Sequence, residues 1–468
     1  MERGSAGVAG AVCRHHGSRG DRTARTAERP GDSAAARHPP LDRPCVAAHS
    51  RLDRSPQPSG GRERGSGGRG PAHAHRGLHG ALARQAARAD GARGPAAGRP
   101  GRARRVARPN PLALVAFGRP VTQPGSRFTI RAATGADVDA LYDVAGHLAT
   151  VNLPHDRERI AAIVSQSERS FAGRLDAHRR EFMFVLEGDA PGVLAGCSMV
   201  FAQHGSRKAP HVFFDVGTEE RYSETLDRLF VHTVLRIGYD YQGVTEIGGL
   251  VLRPHFRGHP ARLGKLLSFV RFVYIALHRA DFKSEIVSEL MPPLEPDGTS
   301  LLWESLGRRF TGLSYQQADQ LSRENKEFIR TLFPHGPIYA TLLSPEAQAL
   351  IGQVGPATQG VEHMLRAVGF RYANRIDPFD GGPHFHARTD DVTLVRATRK
   401  LRVEDVAPVP ARVAALDGIV AHRLDEPPYF RAARGQVGLV AGHLIVPPAL
   451  AKALDLQPGA DVGFLPWQ

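Results

Sequence analysis

Glu246–Phe272, EIGGLVLRPHFRGHPARLGKLLSFVRF, constrains the fold of this chain more than any other stretch. It reads as a strand over Glu246–Leu252, a basic loop over Arg253–Arg262, and a helix from Leu263 to about Leu277. Gly248 and Gly249 leave backbone exposed at one strand edge, and the loop carries Arg253, Arg257, Gly258 and Arg262. Gly264 and Lys265 fall in the first helical turn, where unpaired N–H groups and the positive dipole end favour an anion. A strand with accessible amides holds an extended, amide-rich chain by strand addition. A pyrophosphate with an amide-rich arm describes coenzyme A; the alternative is a plain basic strand-to-helix connection. A P-loop is excluded, because five residues separate Gly258 from Gly264 and Leu266 stands where Ser or Thr would hold Mg²⁺.

The formal charge of +14 suggests a nucleic-acid binder until it is located. Residues 1–126 hold 23 Arg, no Lys and 8 acidic residues, whereas the remainder holds 38 basic and 39 acidic residues. The body is therefore near neutral, and the basicity belongs to a tail of Arg, Gly, Ala, Pro and His with one aromatic, Phe117. Such a segment buries too little apolar surface to offset its chain entropy, so disorder over 1–126 is expected; a start site assigned too far upstream gives the same composition. Without interleaved aromatics, the tail argues against a nucleic-acid partner. Cys13, Cys45 and Cys197 form no disulfide framework or metal spacing. No apolar run approaches membrane-spanning length, and a soluble cytoplasmic protein is expected.

The body opens with a strand at Phe128–Arg131 and a capping box between Thr134 and Asp137, before helical spacing of Val138, Leu141, Val144 and Leu148. A helix over Asp156–Ala172 precedes a hairpin of Phe182–Glu187 and Val193–Phe201. His232–Ile237 reads as a strand before Glu246–Leu252, and Ser284–Leu290 as the strand after the long helix. Leu301–Leu306, Ser314–Phe333, Ala347–Ile351 and Gly360–Ala367 read as helical, and Phe370–Ile376 as a strand. From about Val403 a small β-rich segment follows, with strands at Gly442–Val446 and Asp461–Leu465 around a helix at Pro447–Leu454. This is an α/β (α+β) order with a mixed, partly antiparallel sheet.

Several short stretches, in order, carry a family resemblance. They include Asn152-Leu-Pro154, Ser167-Glu-Arg-Ser-Phe171, Phe213-Phe-Asp-Val-Gly-Thr218, Arg262–Phe272, Leu302-Trp-Glu-Ser-Leu-Gly307, Ser344-Pro-Glu-Ala-Gln348 and Asp377-Pro-Phe-Asp-Gly-Gly-Pro383. Over about 127–468 the chain resembles the arginine N-succinyltransferases, a branch of the GNAT acyltransferase superfamily. The resemblance implies a GNAT-like, mostly antiparallel sheet with helices on both faces over 127–400 and a C-terminal module over 401–468. It implies succinyl-CoA as co-substrate, arginine or a related amine as acceptor, no permanently bound cofactor, and a homo- or hetero-oligomer. Leu250 takes the family's succinyl-CoA-contacting position on the splayed strand.

The chain departs from that pattern at its chemistry. The family's general acid is a His in Gly-Gln-Val-His-Pro, and here the run is Gly352-Gln353-Val354-Gly355-Pro356. Met291-Pro292-Pro293 replaces a Met-Arg-Gly. Three explanations stay open: another acid among His335, His363 and Tyr239; a thiolate leaving unaided; or a non-catalytic or altered-substrate CoA-binding subunit. Glu246 and Glu289 sit at strand ends suited to binding a guanidinium or taking the amine's proton, and Asp377 opens a persistent motif on the acceptor side. His384 and His386 share a face if they lie on a strand, but no further ligands at metal spacing accompany them, so no metal is expected.

Overall fold

The computed structural model describes residues 128–467, except 148–151, 189, 191 and 208. The basic tail, Cys13, Cys45 and Leu148 lie outside the described residues.

The described residues form fifteen strands: β1 (Thr129–Ala132), β2 (Glu181–Glu187), β3 (Leu194–Phe201), β4 (His211–Ser223), β5 (Arg228–Asp240), β6 (Thr245–Leu252), β7 (Glu285–Glu289), β8 (Ile338–Tyr339), β9 (Arg371–Ile376), β10 (Pro383–Arg388), β11 (Arg399–Val406), β12 (Ala415–Arg423), β13 (Phe430–Val440), β14 (His443–Val446) and β15 (Asp461–Pro466). They form one sheet in the order β12-β15-β11-β14-β13-β1-β2-β3-β6-β7-β10-β9-β4-β5-β8. Only β6–β7 and β11–β14 are parallel, so the sheet is mixed and mostly antiparallel, as expected. The last five strands join through β13, which pairs with β1 at Thr129↔Ala433.

Three helices pack on the centre: α1 (Val138–Ala145), α2 (Arg157–Phe171) and α3 (Leu263–Leu277). Alternation along β2 sorts them by face. Met183 and Val185 pack with Leu141 of α1 and Ile160 and Val164 of α2. Phe182, Phe184 and Leu186 pack with Leu266, Phe269, Val270 and Tyr274 of α3. Buried on nearly all sides, α3 contributes roughly 1.5–3 kcal/mol for each large side chain so covered. The Thr134–Asp137 capping box forms as expected, with Asp137 Oδ2 accepting from the Thr134 backbone N–H at 2.8 Å; Asp156, read as helical, is instead the N-cap of α2.

Two expectations differ from the structure. Ser314–Phe333 is two helices, Tyr315–Glu324 and Glu327–Leu332, because Asn325 turns extended and its side chain accepts from the Glu327 N–H at 2.8 Å, starting a new helix. His232–Ile237 is only the middle of a longer, 13-residue strand, β5, which pairs with β4 and β8. The β4–β5 ribbon runs beyond the sheet, where Tyr222, Leu226, Leu229 and Val231 are exposed.

Candidate active site

The site lies where β6 and β7 part. They pair at Thr245↔Ile286 and Glu246↔Val287 only, so from Ile247 onward that edge of β6 has no strand partner among the described residues. On its other side β6 pairs with β3 through a bulge between Cys197 and Met199. Gly249 sits at this bulge with φ +55°, which glycine tolerates. Gly248, Gly249 and Leu250 are all half-buried there. Below them Arg271 of α3 is fully buried, donating to Ser268 O, Ser268 Oγ and, at 3.4 Å, to Gly248 O. Burial lowers its pKa to about 9.

The loop after β6 is compact. A short 3₁₀ turn, Pro254–Phe256, leads to Gly258 (φ +70°) and then to Arg262, which enters α3 in the left-handed region at φ +55°. No side chain caps the start of α3. Arg257 and Arg262 are exposed, and Arg257 Nε donates to Leu252 O at 3.1 Å. Lys265 lies with its ammonium 5.0 Å from the Phe269 ring and 5.1 Å from that of Trp467. Gly264 approaches Leu252, where a Cβ would meet Cδ2 at 3.9 Å.

Near the start of the split, ionisable side chains from six segments converge. Glu246, 4% exposed, accepts from Asn152 Nδ2 at 3.2 Å and meets His204 Nδ1 at 2.5 Å. His204 hangs from the 202–210 connection, whose backbone packs directly on Gly243 (φ +56°), leaving no room there for a side chain. His211 Nε2 lies 2.9 Å from Glu289 Oε1, and His384 Nε2 lies 3.5 Å from the same oxygen. Asp377 follows β9, and its carboxylate accepts from the N–H groups of Phe379 and Asp380.

The electrostatics follow from burial and proximity. Burial opposes the charged form of His204, but the charge and hydrogen bond of Glu246 outweigh it and raise its pKa. Burial, then the neighbouring His204, lowers His211. Burial also works against the Glu289 carboxylate, yet the imidazoles of His384 and His211 hold it well below the usual range. Glu181, near Glu246, rises to about 7 through burial and then that carboxylate's charge. Asp377 rises to about 7 through burial and the charge of Glu289.

Glu246, Glu289 and Asp377 are thus brought into one cluster. Leu250 lies on β6, Arg257, Gly258 and Arg262 on the loop that follows, and Gly264 and Lys265 in the first turn of α3. His335 and His363 are exposed, and none of the described contacts joins either to the cluster. Tyr239 has its hydroxyl buried without a hydrogen-bond partner. His204 and His211 were not singled out in the sequence; their only local signal is a pair of histidines in the polar stretch between two strands.

Comparison with known proteins is decisive. The family model for the arginine N-succinyltransferase beta subunit matches residues 128–394. The chain belongs to the arginine N-succinyltransferase family. It is 34% identical over 340 residues to the arginine N-succinyltransferase subunit beta of Pseudomonas aeruginosa, covering 72% of this chain and 97% of that one. It is 32% identical over 336 residues to the arginine N-succinyltransferase of Salmonella paratyphi B, covering 71% and 96%. The solved arginine/ornithine succinyltransferase subunit AI of Pseudomonas aeruginosa superposes with a TM-score of 0.62 at 28% identity, over 72% of this chain and 98% of that one. The chain is an acyltransferase, a class that uses an acyl-CoA co-substrate.

Against the arginine N-succinyltransferase pattern, the two departures touch each other. The Gly355 N–H donates to Met291 O at 2.9 Å, and a Cβ on Gly355 would meet Pro292 O at 2.5 Å. Thr358 Oγ1 also donates to Met291 O, at 2.8 Å. The Met291-Pro292-Pro293 segment therefore occupies the space a side chain at position 355 would need.

Proposed function

We propose that the chain transfers the succinyl group of succinyl-CoA to the α-amino group of arginine. The observation that carries this reading is the open edge of β6 lying between a cationic helix entrance and the buried Glu246–His204 pair. Arg257, Arg262 and the amides of the first turn of α3 receive the diphosphate, and Leu250 and its neighbours receive the amide-rich arm as an added strand. The thioester then lies along Gly248–Val251, whose backbone N–H groups supply a donor for the tetrahedral oxyanion. Arg271, beneath Gly248 and with no carboxylate within ion-pair distance among the described residues, adds positive charge under an acyl group ending in a carboxylate.

His204 carries the proton in this account. Neutral His204 takes a proton from the amine as its nitrogen bonds to the thioester carbon. It returns that proton to the sulfur as the carbon–sulfur bond breaks, so one residue balances both halves of the reaction. Glu246 holds the imidazole through Nδ1 and stabilises its transient charge. With Glu181 beside it, Glu246 also offers negative charge to a cationic acceptor side chain. This replaces the acid that Gly355 cannot supply.

Gly355 favours one second reading, an altered-substrate or non-catalytic CoA-binding subunit working with a partner. Thiol release from succinyl-CoA with and without arginine tests the choice: release only with arginine supports transfer, and CoA binding without release supports the second reading. Assembly into an oligomer is part of the same proposal, with the exposed apolar end of the β4–β5 ribbon as its contact.

A further inference from the structure

His384, Glu289 and Asp377 come from three neighbouring segments of the sheet. His384 and Glu289 are directly opposed on β10 and β7, and Asp377 follows Ile376 of β9, which pairs with Pro383 of β10. One nitrogen or oxygen from each of the three lies within 4.8 Å of the other two. His384 is 0% exposed, and neither of its ring nitrogens has a hydrogen-bond partner. A buried imidazole with both nitrogens unsatisfied is costly, and two converging carboxylates repel one another. A cation between them relieves both.

We propose that His384, Glu289 and Asp377 hold a divalent transition-metal ion. Size separates this from the obvious alternative, the guanidinium of an acceptor. Ligands of one zinc-like ion at about 2.1 Å lie roughly 3.4 Å from each other in tetrahedral geometry, within the spacing seen. Acceptors on three sides of a guanidinium, with bonds of about 2.8 Å, stand roughly 7 Å apart, too far for this triangle. One imidazole with two carboxylates suits Zn²⁺ or Mn²⁺ and leaves coordination positions for water. His211, bonded to Glu289 at 2.9 Å, orients that carboxylate as an outer partner. His384 lacked partners at metal spacing in the sequence because Glu289 and Asp377 reach it only through strand pairing.

The test is titration of the untagged, chelator-treated full chain with Zn²⁺ and, separately, Mn²⁺ by calorimetry, with metal content measured after dialysis. One ion per chain is expected. His384→Gln and Asp377→Asn should each weaken binding by more than about 100-fold, whereas His335→Gln should leave it unchanged. Thermal unfolding in chelator checks that each variant is folded, and the visible spectrum of bound Co²⁺ reports an imidazole ligand lost in His384→Gln alone. Absence of stoichiometric binding overturns the proposal. So does binding that survives both substitutions but is lost in His204→Gln, which would move the ion to the neighbouring His204–His211–Glu289 group. The readout is binding, so it stands or falls apart from the transferase reading.

Discussion

Glu246 Oε2 lies 2.5 Å from His204 Nδ1, joining a buried carboxylate on β6 to an imidazole on the loop before β4. The contact engages Nδ1 with the carboxylate and makes the imidazole a stronger base. Replacing His204 with Gln keeps the volume and removes the proton carrier. The expected result is a fall in kcat of about 100- to 10,000-fold with little change in KM for succinyl-CoA. Steady-state kinetics of the folded variant check it; an unchanged kcat would remove His204 from the mechanism.

In the proposed reading, Arg257 and Arg262 meet the diphosphate. The double change to Ala should raise KM for succinyl-CoA roughly 10- to 100-fold, as loss of charge-assisted hydrogen bonds requires, while kcat at saturation changes little. Wild-type affinity should fall as salt rises, and the variant's should respond less.

Restoring a histidine at the family's acid position should fail here. The Cβ of Gly355→His would meet Pro292 O at 2.5 Å, so the variant should lose about 1–3 kcal/mol of stability and gain no activity. Urea unfolding and the thiol-release rate measure the two effects. A rise in kcat would show that the Met291–Pro293 segment yields.

Glu181 gives a pH signature. Its folded pKa of about 7 lies above the ordinary value, so its contribution is fully present below about pH 4 and is lost as pH rises through about 7. Glu181→Gln should flatten the decline in stability between pH 5 and pH 8 and leave the protein about 2 kcal/mol more stable at pH 8. Urea midpoints at the two pH values decide it; a steeper decline in the variant would reverse the assignment.

The local parts of the site were legible in the sequence. Strand β6, the bounds of α3 and the Thr134–Asp137 cap are set by short-range periodicity and capping, which a single sequence displays. The proton-handling cluster was not, since His211 and Glu289 are 78 residues apart and meet only because β4 and β7 enter the same sheet. Much of the β4–β5 ribbon also escaped reading, because its outer half is exposed on both faces and carries no alternation of burial. His335 and His363 drew attention by sequence position near the Gly355 run, yet both are exposed and none of the described contacts joins either to the cluster.

The most direct measurement is thiol release by the purified full chain with succinyl-CoA, comparing arginine, ornithine and no acceptor, and repeated with acetyl-CoA. Release that depends on arginine, prefers the succinyl donor and yields one N-succinylarginine per thiol is the predicted result. Tight succinyl-CoA binding with no acceptor-dependent release would contradict the account and leave the chain a binding subunit.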